Sequence, residues 1–156
     1  MELYLVQHGE AASQEVDAAR PLTDCGRGAV LQVARSAHAA GIRVAALYHS
    51  GKLRARQTAE ILATELGVKE AAIVLDGLSP SDDPSVAAGV LDSLGSPALL
   101  VGHLPHLSRL CSLLVTGDPE LQIVRFRMGG IVALTSDDRG AWGVSWMLTP
   151  DVVAPG

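Results

Sequence analysis

Two histidines in this chain stand beside a glycine at the end of a short apolar run. His8 precedes Gly9 after the run at residues 3–6, and His103 follows a glycine after the run at residues 98–101. Glycine at such a point lets the chain turn sharply and lets a ligand approach the backbone. Because the carboxyl ends of parallel strands meet at one edge of a sheet, we expect both imidazoles to converge on one site.

Polar and cationic side chains gather at the loops that follow the predicted strands. The set comprises Gln7, His8, Arg20, Ser50, Arg54 and His103. Guanidiniums and imidazoles in one pocket repel each other unless an anion neutralises them. Phosphate is the anion that best fits this site, because a guanidinium group can form two parallel hydrogen bonds to its oxygens. Arg54 falls in the first turn of a predicted helix, whose amides and dipole would strengthen the same anion site.

Each loop residue also has an ordinary structural interpretation. Arg20 can pair with Asp17, and Arg54 can pair with Glu60. Ser50 can serve as a turn residue at the entry to a helix. The combination of two strand-end histidines with two loop arginines favours a functional site over these separate roles.

Other readings of the same residues are weaker. The spacing of His103 and His106 resembles part of a metal site, but no acid or cysteine at recognisable spacing completes it. Ser50 lacks the G-x-S-x-G elbow of a serine hydrolase. His38 and His49 are expected at the surface or in packing positions.

The order of the predicted elements indicates how the site is positioned. Short apolar strands alternate with helices, which is typical of a three-layer α/β/α sandwich with a mostly parallel central sheet. Ligands in such folds bind at the carboxyl ends of the strands. Strands are predicted at residues 2–6, 44–48, 73–75 and 98–101, with antiparallel strands at 122–126, 131–135 and 142–147. Helices are predicted at 53–66, 84–94 and 105–115, and a further helix is capped by Thr23 and ends at Ala40.

The composition argues against several function classes. With 12 basic and 17 acidic residues the net charge is -5, which is unsuited to a nucleic-acid surface. The first residues do not resemble a signal peptide, and no apolar stretch is long enough to span a bilayer. The two cysteines, Cys25 and Cys111, are widely spaced and are expected to be reduced. We therefore expect a cytoplasmic protein with one domain over residues 1–156 and neither a nucleic-acid nor a membrane partner.

Several segments, taken in order, carry a family resemblance. They are the first strand with residues 8–11, Arg20-Pro21-Leu22-Thr23, Ser50 with residues 53–55 and 57–58, Gly102-His103-Leu104-Pro105, and residues 146–150. Together they resemble the histidine phosphatase superfamily, and more narrowly its short phosphohistidine phosphatases of the SixA type. The resemblance spans nearly the whole chain. It implies a phosphoglycerate-mutase-like fold and a phosphatase that needs no metal or other cofactor.

The resemblance also implies a two-step reaction. His8 would attack phosphorus as a neutral imidazole and form a phosphohistidine that water then hydrolyses. Arg20, Arg54 and His103 would complete the catalytic set by holding the phosphoryl oxygens. Further phosphate contacts are implied for Gln7, Gly9 and Ser50. The implied partner is a phosphorylated histidine-containing protein domain, with phosphate as the product.

The chemistry of the leaving group narrows the substrate. An alkoxide needs a proton donor to depart, whereas an imidazole departs readily without one. The acids near the site in sequence are Glu10, Asp82 and Asp83, and nothing in the sequence singles out one of them. A protein phosphohistidine is therefore favoured over a small-molecule phosphomonoester, which stays as a weaker alternative.

The first motif departs from the superfamily at one position. Its signature is Arg-His-Gly, and this chain has Gln7 in place of the arginine. The glutamine amide can donate a hydrogen bond but supplies neither charge nor a fork. Lys52 or Arg56 could compensate, although solvation at the surface is the ordinary role of both. The alternative function is a phosphate or phosphohistidine binding module that has lost turnover.

Overall fold

The computed structural model describes residues 1–153 of the chain and contains one six-stranded sheet. The strands are β1 (Glu2–Gln7), β2 (Ala46–His49), β3 (Ile73–Val74), β4 (Ala98–Gly102), β5 (Ile131–Ser136) and β6 (Trp142–Leu148). Their order across the sheet is β3-β2-β4-β1-β5-β6. The first four strands in that order are parallel, and β5 and β6 are antiparallel to their neighbours. The prediction of a mostly parallel sheet is confirmed.

Helices cover both faces of this sheet, as the sequence predicts. They are α1 (Asp24–Ala39), α2 (Leu53–Glu65), α3 (Pro84–Val90) and α4 (His106–Thr116), with a short 3₁₀ turn at Leu91–Ser93. Helices α1 and α2 bury their apolar stripes against one face, and α3 and α4 bury theirs against the other. Strand β1 alternates between the two cores, which explains why its apolar run is continuous.

Local caps explain where two of the helices begin. The Thr23 hydroxyl accepts a hydrogen bond from the Gly26 amide at 2.9 Å, which confirms Thr23 as the N-cap of α1. The Asp83 carboxylate caps α3 by accepting from the Ser85 amide at 2.9 Å, with Pro84 in the first turn. Asp83, one of the three candidate acids, therefore has a structural role as the cap of α3.

One predicted strand is wrong. Residues 122–126 form no strand and pair with no other strand of the sheet. Val124 and Phe126 are nonetheless buried in the core beneath α4, and this alternation of buried residues gives the segment its strand-like pattern. Both sides of β5 are already occupied by β1 and β6, so the segment packs on the core without joining the sheet.

The remaining boundaries differ from prediction by a few residues. The predicted helix at 84–94 ends at Val90 and continues only as the 3₁₀ turn, and β2 begins and ends later than predicted. Among residues 1–153, no helix combines the length and the apolar character that a bilayer span requires.

Candidate active site

The two strand-end histidines meet because their strands are neighbours. Strands β1 and β4 pair in parallel with Gln7 opposite Gly102, and the His8 amide donates to the Gly102 carbonyl at 3.1 Å. The ring centroids of His8 and His103 lie 4.9 Å apart. Both side chains are buried, at 9% and 1% exposure. The predicted convergence of the two rings is confirmed.

A backbone carbonyl fixes the tautomer of His8. Its Nδ1 lies 2.7 Å from the Gly9 carbonyl oxygen, which can only accept a hydrogen bond. Nδ1 therefore carries the proton, and the lone pair of the neutral ring is on Nε2. Burial lowers the pKa of His8, against the effect of the Gly9 carbonyl, and the charges of Arg54 and Arg20 lower it further. His8 is thus held as a neutral imidazole near neutral pH, the state that the proposed role as a nucleophile requires.

Neither of the two arginines whose charges act on this ring has an acidic partner among the described residues. Ion pairs in residues 1–153 join Arg35 to Glu65, Arg56 to Glu60 and Arg109 to Glu120. The alternative in which Arg54 pairs with Glu60 is therefore not realised, because Glu60 pairs with Arg56. Nor does Arg20 pair with Asp17, whose carboxylate accepts instead from the Ala19 amide.

Both arginines adopt positions that are energetically unfavourable in the absence of a ligand. Arg20 has a positive φ of 52°, a conformation that costs a non-glycine residue about 1–3 kcal/mol, and its Nε donates to the Ala12 carbonyl at 3.1 Å. The Nε of Arg54 is buried with no hydrogen-bond partner in the structure. Burial and then the charge of Arg20 lower the pKa of Arg54. Such mutual repulsion and unused donor capacity are expected where an anion is to bind.

Ser50 follows β2 and contacts the second histidine. Its Oγ lies 2.7 Å from Nε2 of His103. Burial, followed by the charges of His8, Arg54, Lys52 and His106, lowers the pKa of His103 to about 3. His103 is consequently neutral at any ordinary pH, and Ser50 orients it. Whether Ser50 also contacts phosphate stays a prediction.

The depressed pKa of His103 has a consequence for stability. As pH falls below the ordinary value of 6.5, the unfolded chain takes up a proton at this position before the folded chain does, so stability is lost. We expect His103 to account for about 2 kcal/mol of the stability lost between pH 7 and pH 5. Denaturant titrations at both pH values should therefore give a smaller loss for His103→Gln than for the native chain. Equal losses would contradict the buried neutral state of this ring.

Helix α2 organises the site through residues beyond Arg54. The Thr58 hydroxyl donates to the Arg54 carbonyl at 2.8 Å and accepts from the Gly9 amide at 3.0 Å. Gln57 accepts from the Leu22 amide at 2.8 Å, which anchors the loop that carries Arg20. Sequence reasoning assigned no role to Gln57 or Thr58. Their i+3 and i+4 spacing from Arg54 was the available signal, since such residues share a helix face.

Gly9 has a packing role that does not depend on phosphate. A Cβ at this position would lie 2.8 Å from Cγ2 of Val30, so only glycine fits between β1 and α1. The Gly9 amide is already engaged by Thr58. A phosphate contact from Gly9 stays a prediction, and it is not needed to explain the glycine.

The three candidate acids serve local structure. Glu10 accepts from the Thr23 hydroxyl at 2.7 Å, and Asp82 accepts from the Ser79 amide at 2.9 Å. Hydrogen bonds from Ser85 lower the pKa of Asp83, whereas a general acid needs a raised one. The geometry therefore gives Asp83 no support as a proton donor.

Comparison with known proteins agrees with this arrangement. Residues 3–79 match the model of the histidine phosphatase superfamily (branch 1). An uncharacterized protein of Picosynechococcus sp. (strain ATCC 27264 / PCC 7002 / PR-6) is 33% identical over 144 residues, which cover 87% of this chain and 86% of that protein. The chain belongs to the histidine phosphatase superfamily. It is accordingly a member of a family of phosphatases, which are hydrolases.

Solved structures of this superfamily share the fold over nearly the whole chain. The protein histidine phosphatase SixA complexed with tungstate aligns with a TM-score of 0.85 and 27% identity, covering 97% of this chain and 98% of that one. The alpha-ribazole phosphatase from Shigella flexneri aligns with a TM-score of 0.77 and 15% identity, covering 96% and 97%. The predicted phosphoglycerate-mutase-like fold is confirmed.

Gln7, next to His8, also has a buried side-chain atom without a hydrogen-bond partner. Its backbone carbonyl accepts from the Gly129 amide at 2.8 Å, but its side-chain Oε1 is buried with no partner in the structure. A half-turn of the terminal amide exchanges oxygen and nitrogen in nearly the same space. The side chain can therefore offer an N–H donor to an anion, but no positive charge.

Proposed function

We propose that this histidine phosphatase hydrolyses phosphohistidine on a protein domain, with a phosphohistidine intermediate on its own His8. The observation that carries the proposal is the fixed tautomer of His8, which leaves a lone pair on Nε2 of a ring whose pKa is lowered by burial and by the charges of Arg54 and Arg20. Neither guanidinium has an acidic partner among residues 1–153. Phosphorus bound between these groups would lie next to the nucleophile. The similarity to a SixA that binds tungstate, a tetrahedral oxyanion like phosphate, supports the same site.

The reaction proceeds in two displacements. Nε2 of His8 attacks phosphorus, the P–N bond to the substrate imidazole breaks, and that nitrogen keeps the electron pair and takes a proton from solvent. The phosphorylated His8 ring is then cationic, and the Gly9 carbonyl stabilises its Nδ1 proton. Water attacks next, loses a proton and releases phosphate, and the lone pair returns to Nε2. Arg20, Arg54 and His103 stabilise the charge on the transferring oxygens in both steps.

The substrate assignment rests on the local roles of the three candidate acids. Glu10 and Asp82 are engaged in local hydrogen bonds, and the pKa of Asp83 is lowered. None of these three acids is therefore well placed to protonate an alkoxide leaving group, whereas an imidazole does not need a proton donor. The binding-module alternative is favoured by one observation, the uncharged Gln7 at the signature position.

A substrate comparison tests the proposal. The native chain is incubated with a phosphohistidine-bearing domain, with p-nitrophenyl phosphate and with a sugar phosphate, and phosphate release is measured. We expect the phosphohistidine to be hydrolysed with a kcat/KM at least about 10²-fold above that for the sugar phosphate, which depends most on a general acid. Faster turnover of the sugar phosphate would identify a phosphomonoesterase instead. Phosphate binding without turnover of any substrate would identify a binding module.

A further inference from the structure

The site is one positive charge short of its superfamily signature. Gln7 replaces an arginine, which leaves Arg20 and Arg54 as its guanidiniums. Both histidines have lowered pKa values and are neutral near neutral pH, so they add no charge. During transfer, a phosphoryl group carries charge on its three equatorial oxygens. A further cation close to these oxygens would offset the deficit.

Lys52 stands at the rim of this site. It is the N-cap residue of α2, between Ser50 and Arg54, and its backbone amide donates to Ser50 Oγ at 3.3 Å. The same Oγ contacts Nε2 of His103. The preceding Gly51 has a φ of 91°, so the chain turns sharply here from β2 into the helix. Lys52 therefore lies between Ser50, which contacts His103, and Arg54, one of the two guanidiniums proposed to bind phosphate.

The side chain of Lys52 is exposed and has no acidic partner. It takes part in none of the three ion pairs found within residues 1–153. Its charge nevertheless reaches the site, because it contributes to the lowered pKa of His103 after burial and the charges of His8 and Arg54. Arg56, four positions on, differs in both respects: it pairs with Glu60, and its charge adds to the effect of burial in lowering the pKa of His49.

We propose that the Lys52 ammonium closes over the bound phosphoryl group and supplies the positive charge that Gln7 does not. This inference rests on the proposed function and assigns a further phosphate-binding residue to the same site. A lysine is suited to the task, because its flexible stem and compact charge reach an oxygen from the rim without a fixed fork. Since the contact is made at the surface, it is also screened by salt.

The experiment compares Lys52→Met with Arg56→Met. Each change removes one exposed positive charge near the N-terminal end of α2, and both variants are titrated with inorganic phosphate by calorimetry at low and high salt. We expect Lys52→Met to raise the phosphate Kd about tenfold at low salt and less at high salt. Arg56→Met should change the Kd by less than about twofold. Equal effects of the two substitutions would overturn the inference.

Repeating the Lys52→Met substitution in a Gln7→Arg chain shows whether Lys52 replaces the missing arginine charge or has only a general effect at the surface. In a Gln7→Arg chain the deficit is filled, so adding Lys52→Met should raise the Kd by no more than about twofold. A full tenfold loss in that background would show that Lys52 does not act in place of the missing arginine. If the native chain neither binds phosphate nor turns over phosphohistidine, the proposed function fails together with this inference. If it does both and Lys52→Met matches Arg56→Met, only the inference fails.

Discussion

Replacing His8 by Asn is expected to lower turnover of a phosphohistidine-bearing domain at least about 10⁴-fold. Asparagine places an amide near Nδ1 and so preserves a donor to the Gly9 carbonyl, but it has no lone pair at the position of Nε2. The nucleophile is removed while the loop is kept. Single-turnover phosphate release measures the loss directly.

The control for this variant is His38→Asn. His38 is exposed on α1 and outside the site, so the same substitution there should leave the rate unchanged. Phosphate binding adds a second readout, because the arginines remain in place in His8→Asn. A His8→Asn chain that turns over within tenfold of the native rate would mean that the reaction has no covalent intermediate on His8.

Replacing Gln7 by Arg is expected to raise turnover by about 10- to 100-fold. Loss of one charged or hydrogen-bonding contact to a transition state typically costs about 10²–10³ in rate, and the proposed Lys52 contact recovers about tenfold of that loss. In a Lys52→Met background the same change should therefore give close to the full 10²–10³. The kcat for the phosphohistidine-bearing domain is measured in the native chain, in Gln7→Arg, in Lys52→Met and in the double variant. These four values give the effect of Gln7→Arg in each background.

A Gln7→Met variant separates the contribution of the glutamine's hydrogen bond from that of the arginine's charge. Methionine fills similar space but offers no donor, so it should be slower than the native chain if the amide donates to phosphate. Thermal unfolding of each variant checks that the folded state is retained. A Gln7→Arg chain no faster than the native one would show that the uncharged position does not limit the rate. An active Gln7→Arg beside an inactive but phosphate-binding native chain would identify a binding module.

The convergence of His8 and His103 could be predicted from sequence because it depends on a rule of parallel sheets. Two apolar runs that each end at a glycine and a histidine place both rings at the same edge, whichever strands lie between them. The sequence did not reveal that β1 and β4 are direct neighbours. That adjacency is what brings the ring centroids to 4.9 Å.

The interactions that hold the site in place could not be predicted, because they join distant segments. The contact of Thr58 with Gly9 spans 49 positions, and that of Ser50 with His103 spans 53. Neither depends on a local pattern. The wrong strand at residues 122–126 arose from a local pattern that is present in the sequence. Val124 and Phe126 alternate with exposed residues because they are buried in the core, but the segment does not pair with any strand of the sheet.

The most direct test of the central claim is to find the phosphoryl group on the enzyme. The native chain is mixed with a phosphohistidine-bearing domain and quenched in alkali within one turnover, because phosphohistidine survives base better than acid. Mass spectrometry of the peptides then locates any phosphoryl adduct. We expect an adduct on His8 that disappears as phosphate is released. Turnover with no adduct on the enzyme, or with the adduct on His103, would contradict it.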